Sequence, residues 1–254
     1  MAMNNSDNNT RIPVVDIFAG PGGLSEGFAR YPYKNPDLRK FQIQLSIEKD
    51  AHSNETLRLR SFKRQFPERN IPDLYYQLLQ QPILPIAERI NELFDSYPVE
   101  GQIASRETVR AELGNPEFQL EIETALSKTV GTTKHWVLLG GPPCQAYSLV
   151  GRSRNCGNAD YVPGQDKRQF LYLEYLKVIA DQLPSIFVME NVKGLLSATL
   201  KNEKIFERII SDLQEPRKSL GITKRKPAPQ KLGKFSQRFN GKPKYIKEEF
   251  QYAW

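Results

Sequence analysis

Three observations predict an α/β fold with a doubly wound parallel sheet. Short apolar runs bounded by turn residues recur along the chain, stretches of helical periodicity separate them, and the runs close on glycine, a carboxylate or a thiol. Right-handed crossovers between such strands bring all of those ends to one edge of the sheet, where open α/β sheets bind ligands.

The first strand is expected at Pro13–Phe18, PVVDIF, followed by the turn AGPGG and a helix carried by Leu24, Gly27 and Phe28. A second is expected at residues 41–48, FQIQLSIE, where Phe41, Ile43, Leu45 and Ile47 alternate with polar neighbours and Glu48 closes the run. From about residue 53 to residue 133 the pattern is helical, with Leu78, Leu79, Ile86, Ile90, Leu93 and Phe94 as apolar faces. Pro67, Pro72, Pro82 and Pro85 punctuate it. A crossover between neighbouring strands needs far fewer residues, so part of this insertion is expected to pack outside the sheet.

Trp136–Leu139 reads as a short buried strand running into GGPPCQ. Asp166 is a candidate cap for the next helix, with Gln169 three positions on, and Phe170, Leu173, Leu176, Ile179 and Leu183 mark its apolar face up to Pro184. SIFVMEN is the last clear strand and ends on Glu190 and Asn191. An amphipathic stretch at Ile205–Leu213 follows, after which the chain turns Lys- and Pro-rich.

A chain of 254 residues with 39% hydrophobic content supports one sizeable core. Its net charge of +7 is unevenly spread: from Arg217 onward there are 11 Lys and Arg against 2 Asp and Glu, leaving residues 1–216 at −2. The division expected is a catalytic body over 11–216 and a basic, poorly ordered tail over 217–254. The opening MAMNNSDNNT is polar, and no apolar run approaches the roughly 18 residues of a membrane span, so a cytoplasmic location is expected. Cys144 and Cys156 are read there as free thiols, and with two His they fit no zinc pattern, so no metal is expected.

The strand ends supply the candidate chemistry. The glycine turn lets a ligand approach the backbone. Glu48 is placed to accept hydrogen bonds from the two hydroxyls of a ribose. Ser25 stands where the dinucleotide fingerprint needs its third glycine, which disfavours a pyrophosphate and favours an adenosine cofactor without one. Cys144 lies just past a strand end, on a turn stiffened by Pro142 and Pro143.

FAGPGG, the Glu closing the second strand, GGPPCQ with its following Ser148–Gly151, and MENVKG together resemble the DNA cytosine-5 methyltransferases over roughly residues 13–200. A lone Pro-Cys is common; Pro-Cys-Gln and Glu-Asn-Val, in this order and on these strands, are specific. The resemblance implies a Rossmann-like S-adenosylmethionine-dependent fold. It implies Cys144 as nucleophile toward cytosine carbon-6, Glu190 as proton donor to ring nitrogen 3, and Asn191 as the link between their two loops. It implies Phe18, Gly20, Gly22, Gly23 and Leu24 around the amino-acid end of S-adenosylmethionine, Glu48 on its ribose and Pro143 beside it. Gln145 and Ser148 would contact double-stranded DNA, and Arg152 and Arg154 its phosphates. Lys49 departs from the pattern, since relatives place an aromatic residue there against the adenine.

Relatives also carry an arginine element, a target-recognition domain and a closing cofactor-pocket segment, none of which is visible here. The last sheet strands are expected to be missing, apolar surface to be exposed and a second polypeptide to complete the enzyme. The alternatives are an inactive remnant that binds cofactor or nucleic acid, and a tRNA cytosine-5 methyltransferase.

Overall fold

In the computed structural model, residues 11–32, 39–80, 85–133, 135–143, 171–191, 199–200 and 203–222 are described. The run containing Val14, Val15 and Ile17, all fully buried, forms β1 (Ile12–Ile17), and residues 41–48 form β2 (Phe41–Glu48). The buried Trp136 leads into β4 (Val137–Gly140), and β5 (Ile186–Met189) lies beside it. With β3 (Thr108–Arg110) these make a five-stranded parallel sheet in the order β3-β2-β1-β4-β5. The chain direction across the sheet reverses between β1 and β4, the crevice where such folds place their ligands.

Alternation alone would set Phe41, Ile43, Leu45 and Ile47 on one face of β2. The β1–β2 register instead shifts between Val14 and Val15, so that Ile43 pairs with Val14 and Leu45 with Val15, leaving Gln44 as the extra residue of a bulge. Ile43 therefore joins Val14, Ala29, Val137 and Leu139 on one side of the sheet. Leu45 and Ile47 join Val15, Ile17 and Leu138 on the other.

The stretch expected to be helical throughout contains β3, a three-residue strand on the edge of β2. Four helices precede it: α2 (Ala51–Arg64), α3 (Asp73–Leu79), α4 (Ile86–Ser96) and α5 (Pro98–Glu107). They enclose a second apolar cluster around Phe62, whose ring stacks on Phe94 at 5.4 Å and on Tyr75 at 6.3 Å between centroids. Leu78, Ile90, Leu93 and Phe94 enter that cluster as expected, whereas Leu79 ends α3 on the exposed side. This part packs beside the sheet, while α6 (Gln119–Val130) returns and covers it with Ile122, Leu126 and Val130.

The next described helix is α7 (Leu171–Gln182), and its proposed cap Asp166 lies outside the described residues. Its buried face is broader than the leucine pattern indicated, with Tyr172, Tyr175 and Val178 beside Leu176 and Ile179. Leu183 does not share it. The residue follows the helix with φ 52° and is 55% exposed. On the other face of the sheet, α1 (Gly23–Ala29) packs through Leu24 and Phe28. A two-stranded antiparallel pair, β6 (Thr199–Leu200) and β7 (Glu203–Lys204), leads into α8 (Ile205–Gln214), which buries Ile205, Ile209 and Leu213. The short α9 (Pro216–Ser219) spans the expected 216/217 boundary, and Arg217 donates to the Ala180 carbonyl at 3.1 Å. Among the described residues β5 pairs with β4 alone, and its Ile186 is 59% exposed.

Candidate active site at the carboxyl edge of the sheet

The glycine turn after β1 is held by backbone and carboxylate bonds together. Phe18, Gly20 and Gly22 take positive φ of 55°, 54° and 83°, and the Gly22 N–H closes the turn on the Ala19 carbonyl at 3.0 Å. Glu48 accepts from the Gly20 N–H on one oxygen and from the Asp50 N–H on the other, each at 2.8 Å. Its carboxylate is thus fixed in orientation at the end of β2, with lone pairs left for a ligand hydroxyl.

The glycines have different reasons to be there. A Cβ on Gly22 would meet Leu57 Cδ2 at 2.6 Å, so this residue lets α2 close against the turn, and Arg60 donates to its carbonyl at 2.9 Å. Among the described residues a Cβ on Gly20 or Gly23 would meet nothing within 4 Å, which is the side where a ligand can reach the backbone.

Behind the turn lies Asp16, inside β1 and 1% exposed. Burial raises its carboxyl to about 6, against hydrogen bonds from Ser25 and with Glu48 adding to the rise, while among the described residues Oδ2 has no hydrogen-bond partner.

Two further glycines end β4. A Cβ on Gly140 would come within 2.7 Å of both the Ile17 carbonyl oxygen and the Tyr175 ring. The Tyr175 hydroxyl, whose burial raises its pKa well above the ordinary value, donates to the Val188 carbonyl at 3.0 Å and lies 3.3 Å from that of Leu138. It ties β4 to β5 from below. A Cβ on Gly141 would lie 2.9 Å from Glu190 Oε2, and the Glu190 N–H donates to the Gly140 carbonyl at 2.9 Å. The carboxylate of Glu190 therefore occupies the space that Gly141 leaves open, three residues before Cys144 in the chain. Asn191 follows directly, half-buried. Cys144, Gln145, Ser148, Arg152 and Arg154 lie outside the described residues.

A cavity of about 240 Å³ opens between these strand ends, lined by Phe18, Gly20, Glu48 and Pro143 of the expected set and by Gly141. Ile47, Ala111 and Leu113 supply buried apolar wall beside the Glu48 carboxylate, while the second carboxylate of the lining, Glu112, is taken by Lys49. That combination fits an adenosine: hydroxyls to the carboxylate, ring to the apolar wall. Gly22, Gly23 and Leu24 are not part of the lining; they form the turn and the start of α1 behind it.

The segment after β3 supplies Ala111, Glu112 and Leu113, residues the sequence reading did not place here. Its signal was a β-branched pair, Thr108–Val109, too short to distinguish from helix. At the rim, Lys49 pairs with Glu112 at 2.9 Å where the resemblance expected an aromatic ring, so its aliphatic stem lies along the opening.

Comparison with known proteins gives a consistent result. Residues 115–216 match the family described as C-5 cytosine-specific DNA methylase. Type II methyltransferase M.Bpa9945I of Bacillus paralicheniformis is 32% identical over 209 residues, 77% of this chain and 43% of that protein. Type II methyltransferase M.AquIA of Picosynechococcus is 28% identical over 211 residues, 82% of this chain and 58% of that protein. Type II methyltransferase M.DdeI of Desulfomicrobium norvegicum is 25% identical over 199 residues, 78% of this chain and 32% of that protein. The chain thus spans roughly a third to three-fifths of the length of these relatives.

Proposed function

Because the chain belongs to the C-5 cytosine-specific DNA methylase family, we propose that it is the catalytic part of a DNA cytosine-5 methyltransferase of restriction-modification type, with an S-adenosylmethionine-dependent fold over residues 11–216. One observation supports the catalytic reading above the others. The Glu190 carboxylate rests against Gly141, at the ends of the neighbouring parallel strands that carry the proton donor and lead to the thiol.

Carbon-5 of cytosine is a poor nucleophile, and the proposed residues remedy that. The Cys144 thiolate adds to carbon-6 while Glu190, in its protonated form, gives its proton to ring nitrogen 3, so no negative charge accumulates on the ring. The addition turns the ring into an enamine that is nucleophilic at carbon-5. S-adenosylmethionine supplies the methyl group in electrophilic form. After transfer, a base removes the carbon-5 proton and the Cys144 sulfur departs, restoring the aromatic ring.

A free cysteine has a pKa near 8.5, so Cys144 needs its surroundings to favour the thiolate. The cytosine must leave the duplex to reach these groups. Gln145 and Ser148 would hold the displaced strand region and Arg152 and Arg154 its phosphates. Asn191 would link the Glu190 and Cys144 loops.

For the cofactor, Glu48 would take the ribose hydroxyls, with Ile47, Ala111, Leu113 and the Lys49 stem around the adenine. Phe18, Gly20 and Pro143 would face the methionine portion, and Gly22, Gly23 and Leu24 would set the turn that presents them. The basic segment 217–254 would add attraction for DNA, and a second polypeptide would supply target recognition.

The test is covalent capture. The chain is incubated with S-adenosylmethionine and duplex DNA carrying 5-fluorocytosine, which cannot lose a proton from carbon-5, with and without a recognition half supplied in trans. A protein–DNA adduct stable in denaturing gels is expected, and it should vanish in Cys144→Ser. An adduct that persists in Cys144→Ser removes that residue as the nucleophile.

A further inference from the structure

A groove lined by cations crosses the end of the sheet opposite the candidate active site. It consists of two cavities, of about 320 and 410 Å³, that share Ala29, Arg39 and Arg64. The first opens between α1 and α2 and adds Arg30, Arg60 and Lys63. The second runs under the first residues of β1 and β2 and adds Arg11, Arg106 and Lys128. The second cavity starts at Phe41, the opposite end of β2 from Glu48 and roughly 20–25 Å away at about 3.3 Å per residue, whereas the first reaches up α2 to Arg60, which donates to the Gly22 carbonyl.

Parallel topology explains part of the clustering. The last turns of α1, α2, α5 and α6 all point to the amino end of the strands, and cations are favoured there by the helix dipoles. The dipoles do not balance the charge. Eight Lys and Arg side chains line the two cavities against three carboxylates, Glu26, Glu68 and Glu107. Four helix ends at about −0.5 each still leave a surplus of roughly three positive charges. This happens in a body, residues 1–216, whose own net charge is −2.

The cations divide into two kinds. Arg39 and Arg64, with side chains 18% and 15% exposed, are engaged by Glu68 and by Glu26 with Glu107, Arg30 lies 3.8 Å from Glu26, and Arg60 donates to the Gly22 carbonyl. Arg11, Arg106 and Lys128 are exposed and form no ion pair among the described residues. The first kind is structural; the second is free to meet a ligand. Two of the three free cations are arginines, whose planar forks match phosphate oxygens in pairs.

We propose that this groove is a second nucleic-acid contact, binding the phosphodiester backbone at a site separate from the edge that holds Glu48 and Glu190. It goes beyond the methyltransferase reading, and its test makes no use of the base chemistry.

The test measures binding of the full chain to a fluorescent duplex containing only A·T pairs, by anisotropy across a series of salt concentrations. The triple variant Arg11→Glu, Arg106→Glu, Lys128→Glu is compared with Lys204→Glu, Arg208→Glu, Lys218→Glu, which changes net charge equally on β7, α8 and α9. Thermal unfolding checks that both stay folded. The groove variant should bind at least tenfold more weakly at low salt, and its slope of log K against log salt should shrink by roughly two to three, near 0.9 per lost phosphate contact. The control variant should change much less.

Equal losses in the two variants, or no loss in the groove variant, would overturn the proposal. So would displacement of the duplex by poly-glutamate at matched charge as readily as by unlabelled duplex, which would assign the groove to acidic protein. Failure of the cytosine reading would register separately, in the 5-fluorocytosine adduct.

Discussion

At the carboxyl end of the sheet the chain leaves side chains out, at Gly20, Gly140 and Gly141, and sets the carboxylates of Glu48 and Glu190 around the space. At the amino end it crowds arginines against the last turns of four helices. One cause underlies both. With all five strands parallel, helices that return between them begin at the carboxyl edge and end at the amino edge, so their partial positive charges gather at one end and their partial negative charges at the other. Anionic groups are favoured at the first, as in Asp50, which caps α2 by accepting from the Ser53 N–H at 2.8 Å and is held below its usual pKa chiefly by that bond. Cations are favoured at the second. The sheet's polarity thus sorts the chemistry before any ligand is considered.

The amino end can be broken through Arg64, which bridges Glu26 on α1 and Glu107 on α5. Glu107 is 6% exposed, and burial raises its pKa while Arg64 opposes the rise. Arg64→Leu would strand the two carboxylates and is expected to cost about 3–5 kcal/mol in urea unfolding. A loss below about 1 kcal/mol would show that apolar packing alone joins these helices.

The carboxyl end can be probed through Asp16, whose folded pKa of about 6 stands above the unfolded 3.8. A raised carboxyl pKa gives stability that is present in full below the unfolded value and is lost as pH rises through the folded one. Folding should therefore weaken by about 3 kcal/mol between pH 3 and pH 7 on account of this one group. In Asp16→Asn that portion of the pH dependence should disappear. Parallel stability curves for wild type and variant across this window would mean that Asp16 does not titrate as a buried acid.

The same contrast separates what the sequence made legible from what it did not. The strands β1, β4 and β5 were readable within one or two residues as short apolar runs punctuated by turn residues, and β2 by its alternation. The strand ends carrying Phe18, Gly20, Glu48 and Pro143 were readable for the same reason, and the cavity joins them. Features created by pairing were not. The bulge at Gln44 exists only in the register of β2 against β1, and β3 is three residues recruited to an edge. Lys49–Glu112 joins residues 63 apart, and the amino-end groove draws cations from the residue before β1, from helices and from a loop with no sequence signature in common. Periodicity reports which residues are buried; it carries no information on which distant side chains share a gap.

Gly140 and Gly141 sharpen this within two adjacent residues. At Gly140 the added Cβ would press on backbone, the Ile17 carbonyl oxygen, and on a fully buried ring, Tyr175, neither of which can yield. Gly140→Ala is expected to cost about 2–3 kcal/mol of stability, as overpacking does. At Gly141 the same methyl would meet the far end of a flexible side chain, Glu190 Oε2 at 2.9 Å, which can swing aside at little cost to folding. Gly141→Ala should leave stability within about 1 kcal/mol of wild type. If Glu190 is the proton donor proposed above, the substitution should nevertheless slow adduct formation on 5-fluorocytosine DNA about tenfold, because a donor displaced by a fraction of an ångström no longer meets ring nitrogen 3 in line. Adduct formation at the wild-type rate would show that the Glu190 position beside Gly141 is not the one used in the reaction, and would leave that glycine with a packing role like its neighbour's.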